Sequence, residues 1–537
     1  MMTTIDANQL RWMVVAGANR LEANKQEVDE LNVFPVPDGD TGTNMCLTVM
    51  SAAREVIGVG DEADITTVGK ALSSGALRGA RGNSGVILSQ LFRGMYRGLK
   101  GLETVDAAAF ALAMRQGSET AYKAVMRPKE GTILTVARGM ADAAVEASAV
   151  AEDLTDLLRI VIEKGEEVLE QTPSMLPVLA EAGVVDAGGK GLIYIYKGML
   201  ASLTGEDTVH ELLTGQKAQK ADAQAESKYT YETGFTVHAV DAGKGAAFLR
   251  SILGGMGDKI QVKEENGVLA AAIWTDTPGD VLTKAMSLGP LTDISIENRK
   301  PLPAPKAKAA AEEPVMEHKD TGFVAVSMGE GLTEILKELG CDCVISGGQT
   351  MNPSTEDILN AVRKVNADHV FVLPNNKNIT LAAQQAAKLV NDKDVRVIPT
   401  RNVPQGITAL INYIPDFSAE DNQKTMEDSI QEVHTGMCTF AIRDSHLGSF
   451  EIHKDDILGM LDGELTFVAA DVKEVCRNLI DSLVGMKKDL YTIYYGEDGS
   501  DEGANELADY IREKSGGCEV EIQNGGQPLY HYIISAE

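Results

Sequence analysis

The sequence predicts a multidomain protein with an all-α domain first, a small α+β domain in the middle and an α/β domain with a mostly parallel sheet at the end. Three observations predict it. The chain has 537 residues, more than one hydrophobic core usually serves. Residues 1–205 carry apolar residues at helical spacing and no convincing period-2 run. Beyond residue 320, short apolar runs alternate with helical segments, the pattern of right-handed βαβ units. The expected domains are 1–213, 228–300 and 320–537.

Composition narrows the class. The chain is 44% hydrophobic and 24% charged, ordinary for a globular protein. Its formal net charge of −30 repels nucleic acid and anionic membranes, so no nucleic-acid partner is expected. No apolar run approaches the roughly 20 residues that span a bilayer, and the N-terminus lacks a basic-then-apolar signal. The expectation is a cytoplasmic protein that is not integral to a membrane. Six cysteines are scattered, and the Cys341-x-Cys343 pair has no second pair to complete a metal set.

Leu10, Met13, Val14, Leu21 and Val28, with Gly17 in register, fall on one face of a helix that leads into a tight loop. The loop reads Leu31-Asn32-Val33-Phe34-Pro35-Val36-Pro37-Asp38-Gly39-Asp40-Thr41-Gly42-Thr43-Asn44-Met45. Gly39 lets Asp38 and Asp40 face one hard cation, and Mg²⁺ is the natural guest. Thr41, Gly42, Thr43 and Asn44 offer hydroxyls, an amide and backbone N–H groups to phosphate oxygens at a helix start. The plainer reading is an Asp-Gly turn that caps the next helix. That helix is marked by Met45, Val49, Ala52 and Val56.

A glycine-rich loop, Gly75 to Gly85, precedes a helical pattern in Ile87, Leu88, Leu91 and Met95. Gly82, Asn83 and Ser84 at its end can present backbone N–H groups to an anion. Without the Walker pattern it reads on its own more readily as a helix connection, and pairing with the Asp-Gly-Asp loop reverses that. Two further loops, around Thr132 and around Asp186-Ala187-Gly188, read on their own as helix N-caps. Ile133, Val136, Met140 and Ala144 mark the helix after the first of them.

Residues 216–227, rich in Ala, Lys, Gln and Glu, read as a linker. Phe235, Val237, Ile260, Val262, Ala272 and Trp274 then fall in short alternating runs around a helical stretch at 245–253, a small α+β unit. A proline-stiffened second linker covers 301–319. After it, apolar runs at 323–326, 344–345, 370–373 and 395–398 alternate with helical segments at 332–339, 356–365 and 381–390. The polar loops around Asn352 and Asn375 leave these strands where α/β folds place ligands, although turn chemistry also explains them.

The stretch from Asn32 to Asn44, with the three later loops, resembles the nucleotide-binding domain of bacterial dihydroxyacetone kinases. It is closest to the form in the large subunit of bacterial fatty acid kinase, and that resemblance extends over essentially the whole chain. It implies a barrel of antiparallel helices and an ATP- or ADP-binding, Mg²⁺-dependent kinase in which Asp38 and Asp40 are catalytic. Gly82, Asn83, Ser84, Thr132, Asp186, Ala187 and Gly188 join Thr41 to Asn44 as nucleotide contacts. Asn32 replaces a third aspartate of the dihydroxyacetone kinase pattern, so it becomes a weaker, neutral ligand.

The resemblance also implies a fatty acid as acceptor, presented by a separate fatty-acid-binding subunit, with acyl phosphate for phospholipid synthesis as product. All eight histidines lie at His210 or later, and a carboxylate acceptor, ionised at neutral pH, needs no imidazole base. The alternatives are a dihydroxyacetone kinase-type phosphotransferase and a non-catalytic regulator that holds ADP. The loops around Asn352 and Asn375 become the expected docking surface for the fatty-acid-binding partner, and a homodimer is the expected assembly. Relatives carry a zinc-type set in the middle domain, where this chain has Glu232, Ala272 and Trp274, so no zinc is expected.

Overall fold

The computed structural model describes residues 3–33, 39–205, 229–238, 246–265, 268–298, 318–348, 351–441, 444–447 and 450–537. Asp38 lies outside them. So do the two expected linkers, except for His318 and for Lys319, which already belongs to a strand. The contacts divide the chain into two compact units: Met1–Thr214 together with Glu317–Glu537, and Gly215–Met316.

Among the described residues, the first part of the larger unit holds α1 (Ala7–Glu30), α2 (Thr41–Gly58), α3 (Ile65–Gly79), α4 (Gly82–Leu99), α5 (Ala107–Ala124), α6 (Ile133–Ala147), α7 (Leu154–Met175), α8 (Pro177–Ala182) and α9 (Ala187–Thr204). A two-residue antiparallel pairing of β1 (Thr4–Ile5) with β2 (Val105–Asp106) is an addition that the sequence did not signal. Each helix from α1 to α7 packs on its successor, and α9 packs on α1, α6 and α7. The helical period places the expected face inward. Leu10, Met13, Val14, Leu21 and Val28 are buried, as are Met45, Val49, Ala52 and Val56. Each of these leucine, methionine and valine side chains contributes about 1.5–3 kcal/mol of burial energy. Small residues let α1 and α9 touch: a Cβ added at Gly198 would stand 2.3 Å from the Ala16 carbonyl oxygen.

The smaller unit has β3 (Tyr231–His238), α10 (Ala246–Leu253), β4 (Asp258–Glu265), β5 (Val268–Thr275), α11 (Pro278–Ala285) and β6 (Leu291–Asn298). Its sheet runs β4-β5-β3-β6, antiparallel throughout. Phe235, Val237, Leu249, Leu253, Ile273 and Val281 form its core. Glu232 stands opposite Trp274 in register, and Ala272 lies two residues along β5 on the same face. The ring of Trp274 there carries the Lys259 ammonium 4.4 Å from its centroid.

The last part begins as βαβ units: β7 (Lys319–Ser327), α12 (Glu330–Glu338), β8 (Cys343–Ser346), α13 (Thr355–Lys364), β9 (Ala367–Leu373), α14 (Lys377–Ala387) and β10 (Asp394–Val397). The sheet order is β10-β9-β7-β8, all parallel. The chain crosses from β8 on one side of β7 to β9 on the other. The connections therefore diverge between the neighbours β7 and β9, and the loops after β7, β8 and β9 line one crevice at the carboxyl edge of the sheet.

The mostly parallel sheet expected here is only half of this part. After α15 (Val403–Ile411) and α16 (Ala419–Ser429) come β11 (His434–Phe440), the small hairpin β12 (Ser445–Leu447) and β13 (Phe450–Ile452), β14 (Ile457–Leu461), β15 (Glu464–Ala469), α17 (Val472–Val484), β16 (Leu490–Tyr495), α18 (Asp501–Ser515), β17 (Glu519–Asn524) and β18 (Tyr530–Ala536). Six of these strands make a second sheet, β15-β14-β11-β18-β16-β17, in which only β16 and β17 are parallel. A tight Asp462-Gly463 turn with both residues at positive φ, 49° and 84°, makes the β14–β15 pair a hairpin instead of a crossover. The two sheets share a core in which Phe323 and Phe371 meet Met437, Tyr494 and Ile533.

The helical part and the parallel sheet are joined by packing as well. Ala80 and Val86 belong to the same apolar cluster as Ile358, Val362, Ile379 and Ala382. The Thr355 backbone N–H donates to the Ala80 carbonyl at 3.0 Å.

Candidate active site

The end of α1 and the start of α2 are tied together by side chains. The Asp29 carboxylate accepts from the Thr43 backbone N–H at 3.0 Å and from its hydroxyl at 2.8 Å. Burial pushes the Asp29 carboxyl above its ordinary range, against the pull of those bonds. The Asn32 amide oxygen accepts from the Thr41 N–H at 3.0 Å and from the Thr41 hydroxyl. Thr43, expected to face a phosphate, thus turns its polar groups toward α1. Gly42 is a packing position, since a Cβ there would stand 2.2 Å from the Lys25 carbonyl oxygen.

Asp40 occupies the N-cap position of α2, yet its side chain makes no capping bond. Its Oδ2 accepts from Asn352 Nδ2 at 2.6 Å. The simple capping turn is therefore not what this aspartate does. Arg81, ahead of α4, donates from Nη1 to the Asn352 carbonyl at 2.6 Å and faces Asp357 at 3.5 Å. Gly82 has φ +58°, and a Cβ on it would meet Asn44 Nδ2 at 2.6 Å. Asn83 Nδ2 donates to Asn378 Oδ1 at 2.9 Å.

These bonds show how the two asparagines of the polar C-terminal loops are used. Asn352 is 2% exposed and Asn375 8%. Asn375 donates to the Val326 carbonyl within its own sheet, and Asn352 faces Asp40. The Asn352 and Asn375 side chains themselves are thus turned inward, while Met351 beside them is 72% exposed.

Thr132 stands at the N-cap of α6 without capping it; its hydroxyl donates to the Lys129 carbonyl at 2.8 Å. Asp186 does cap α9, accepting from the Gly189 N–H at 2.7 Å. Its backbone N–H donates to the Thr172 hydroxyl at 3.1 Å. Burial pushes the Asp186 carboxyl up to about 7, the Gly189 and Ile133 backbone bonds notwithstanding.

One cavity of about 930 Å³ collects these groups. Asn32, Asp40, Thr41 and Asn44 line one wall, Asn83 and Ser84 a second, and Thr132, Asp186 and Gly188 a third. Gly42, Thr43, Gly82 and Ala187 support the walls without lining them. The opposite wall is C-terminal and includes Lys377, Asn378, Gln384 and Arg401. Burial, and then the charge of Arg401, hold the Lys377 amine below its ordinary value. Arg127 and Lys129 add two further cations. Sequence reasoning missed Asn352, Lys377, Asn378 and Arg401 as parts of this site. The signal available was their place just beyond parallel strands, at the edge where α/β sheets gather ligand groups.

The fit to a Mg²⁺-nucleotide is good on three counts. The volume falls within the range of small-molecule sites. The Asp40, Asn32 and Thr41 oxygens are the hard donors that Mg²⁺ prefers. The first turns of α2 and α4 open at the cavity, as phosphate sites require.

Comparison with known proteins places each part of the chain. Residues 35–201 match the model of the DAK2 domain, 228–301 that of the FakA-like middle domain of fatty acid kinase, and 322–537 that of the FakA-like C-terminal region of the same enzyme. Protein YloV of Bacillus subtilis is 44% identical over 99% of both chains. An uncharacterised protein of Staphylococcus aureus is 38% identical over the full length of both. Among solved structures, the linoleic-acid-loaded fatty acid kinase B3 protein of Streptococcus pneumoniae aligns over 41% of this chain and 99% of its own, at 11% identity and a TM-score of 0.31. The dihydroxyacetone kinase of C. freundii, in complex with AMP-PNP and Mg²⁺, aligns over 36% of this chain and 33% of its own, at 18% identity and a TM-score of 0.28.

Proposed function

This chain belongs to the FakA-like fatty acid kinase family, and from that premise we propose that it is an ATP-dependent kinase acting on a fatty acid. The acid is presented by a separate fatty-acid-binding protein, and the product is an acyl phosphate for phospholipid synthesis. The observation that carries this reading is the convergence of Asn32, Asp40, Asn83, Ser84, Thr132 and Asp186 on one cavity. In this reading Asp40 and Asp38 hold Mg²⁺, with Asn32 as a neutral third oxygen. Bound Mg²⁺ supplies neutralisation of phosphate charge. The residues do the positioning that phosphoryl transfer mostly requires. The starts of α2 and α4 orient phosphates, and Arg127, Lys129, Lys377 and Arg401 offset their charge. For the helical part we propose the barrel that the family resemblance implies, since α9 closes the run of helix contacts by packing on α1.

No histidine lines the cavity among the described residues. This favours an acceptor that arrives already ionised, as a carboxylate does near pH 7, over a hydroxyl that must lose its proton. The test is to mix the purified chain, ATP and Mg²⁺ with a fatty-acid-loaded partner from the same cell and trap acyl phosphate as a hydroxamate. Trapped product supports the proposal. Phosphorylation of dihydroxyacetone instead, or tight ADP binding with no transfer to either acceptor, would replace it with one of the two alternatives.

A further inference from the structure

Asp40 and Asn352 are separated by 312 residues of sequence and joined by a 2.6 Å hydrogen bond. Asn352 is 2% exposed, and its amide oxygen has no hydrogen-bond partner among the described residues. A buried asparagine kept only for packing would waste that oxygen, since an unmade buried bond costs stability and an apolar side chain of similar size would avoid it. The residue is also fixed from behind, because Arg81 grips its carbonyl at 2.6 Å. Arg81 itself leads into the second nucleotide loop, whose Asn83 is held by Asn378. Both cation- and phosphate-facing loops are thus braced by the C-terminal segment, from the stretches that follow β8 and β9.

We propose that Asn352 is a positioning residue for the divalent cation: its amide N–H fixes one oxygen of Asp40, which sets the direction in which that carboxylate meets the metal. The inference rests on the nucleotide reading above. It places part of the kinase site in the C-terminal segment of the same chain, and it makes Asn352 a residue that acts through Asp40 without touching substrate. Hydrogen bonds behind a ligating carboxylate commonly tune metal affinity by about 10–100-fold. Loss of Asn352 therefore acts on the metal and leaves the nucleotide's own contacts in place.

The test uses the full chain with Asn352→Ala and Asn352→Leu, the second keeping the side-chain size. Mn²⁺ binding in the presence of ADP is followed by electron paramagnetic resonance, and metal-free ADP binding by calorimetry in EDTA. Both variants should bind metal-free ADP as the parent does while the Mn²⁺ half-saturation rises about 10–100-fold. Unchanged Mn²⁺ affinity would overturn the inference. An equal fall in metal-free ADP affinity, or loss of folding in both variants, would make Asn352 a structural residue and overturn it too. A parent chain that binds no Mn²⁺ with ADP would defeat the nucleotide reading itself, and the inference with it.

Discussion

Asn83 and Asn378 meet amide to amide at 2.9 Å, the first turn of α4 hydrogen-bonded to the first turn of α14. Both residues line the large cavity. A double-mutant cycle on Asn83→Ala and Asn378→Ala should give a coupling of about 0.5–1.5 kcal/mol in unfolding free energy, the range of one net hydrogen bond. Strictly additive effects would mean that the contact carries no energy.

Asp40→Asn should reduce turnover by at least about 10²-fold, the scale on which single electrostatic contacts act in such sites. The fold should persist, since the substitution removes charge and no packed volume. Steady-state kinetics beside a thermal melt checks both halves, and a variant with near-normal turnover would remove Asp40 from the metal site.

The Asp186 carboxyl, lifted to about 7 by burial, gives a signed pH dependence. Between the ordinary value of 3.8 and about 7, the native state holds a proton that the unfolded chain has released. Stability contributed by this group is therefore full below pH 3.8 and is lost as pH rises through about 7. Asp186→Asn keeps an N-cap and removes the titration. Its melting temperature should exceed that of the parent at pH 8, with the difference vanishing near pH 4. A constant difference across this range would argue against the raised value.

Gly82→Ala forces a side chain into φ +58° and toward the Asn44 amide. The left-handed backbone alone costs about 1–2 kcal/mol, and displacing Asn44 disturbs a residue of the cavity wall. Weaker nucleotide binding and a lower melting temperature are expected together, read by calorimetry and thermal denaturation. A variant that melts lower but binds ADP normally would limit Gly82 to a structural role.

Much of this architecture was legible because periodicity reports burial directly. The face marked by Leu10, Met13, Val14, Leu21 and Val28 is buried, and the runs around Phe323, Val344, Val370 and Val395 are parallel strands. The second sheet was missed although Asp462-Gly463, between two apolar runs, is a hairpin signal. The eye follows the preceding βαβ rhythm past it. The site divides in the same way. Local chemistry pointed to Asp40 and, once paired with it, to Asn83, whereas Asp186 read locally as the N-cap it is and entered the expected site only through the family resemblance. Nothing local could show that Asn352 turns inward to Asp40, because a polar loop beside a strand reads alike whether it meets solvent or another part of the chain.

The larger compact unit is assembled from two stretches of sequence with the smaller unit between them, and this has a consequence during synthesis. Asn83 leaves the ribosome 295 residues ahead of Asn378. At about 5–20 residues per second that is a delay of roughly 15–60 s. For most of that interval the newborn helical part exposes Ala80 and Val86, whose first apolar neighbours in the cluster arrive only with Val324. A truncated chain that stops before the parallel sheet would carry the metal loop and lack the C-terminal wall of the cavity.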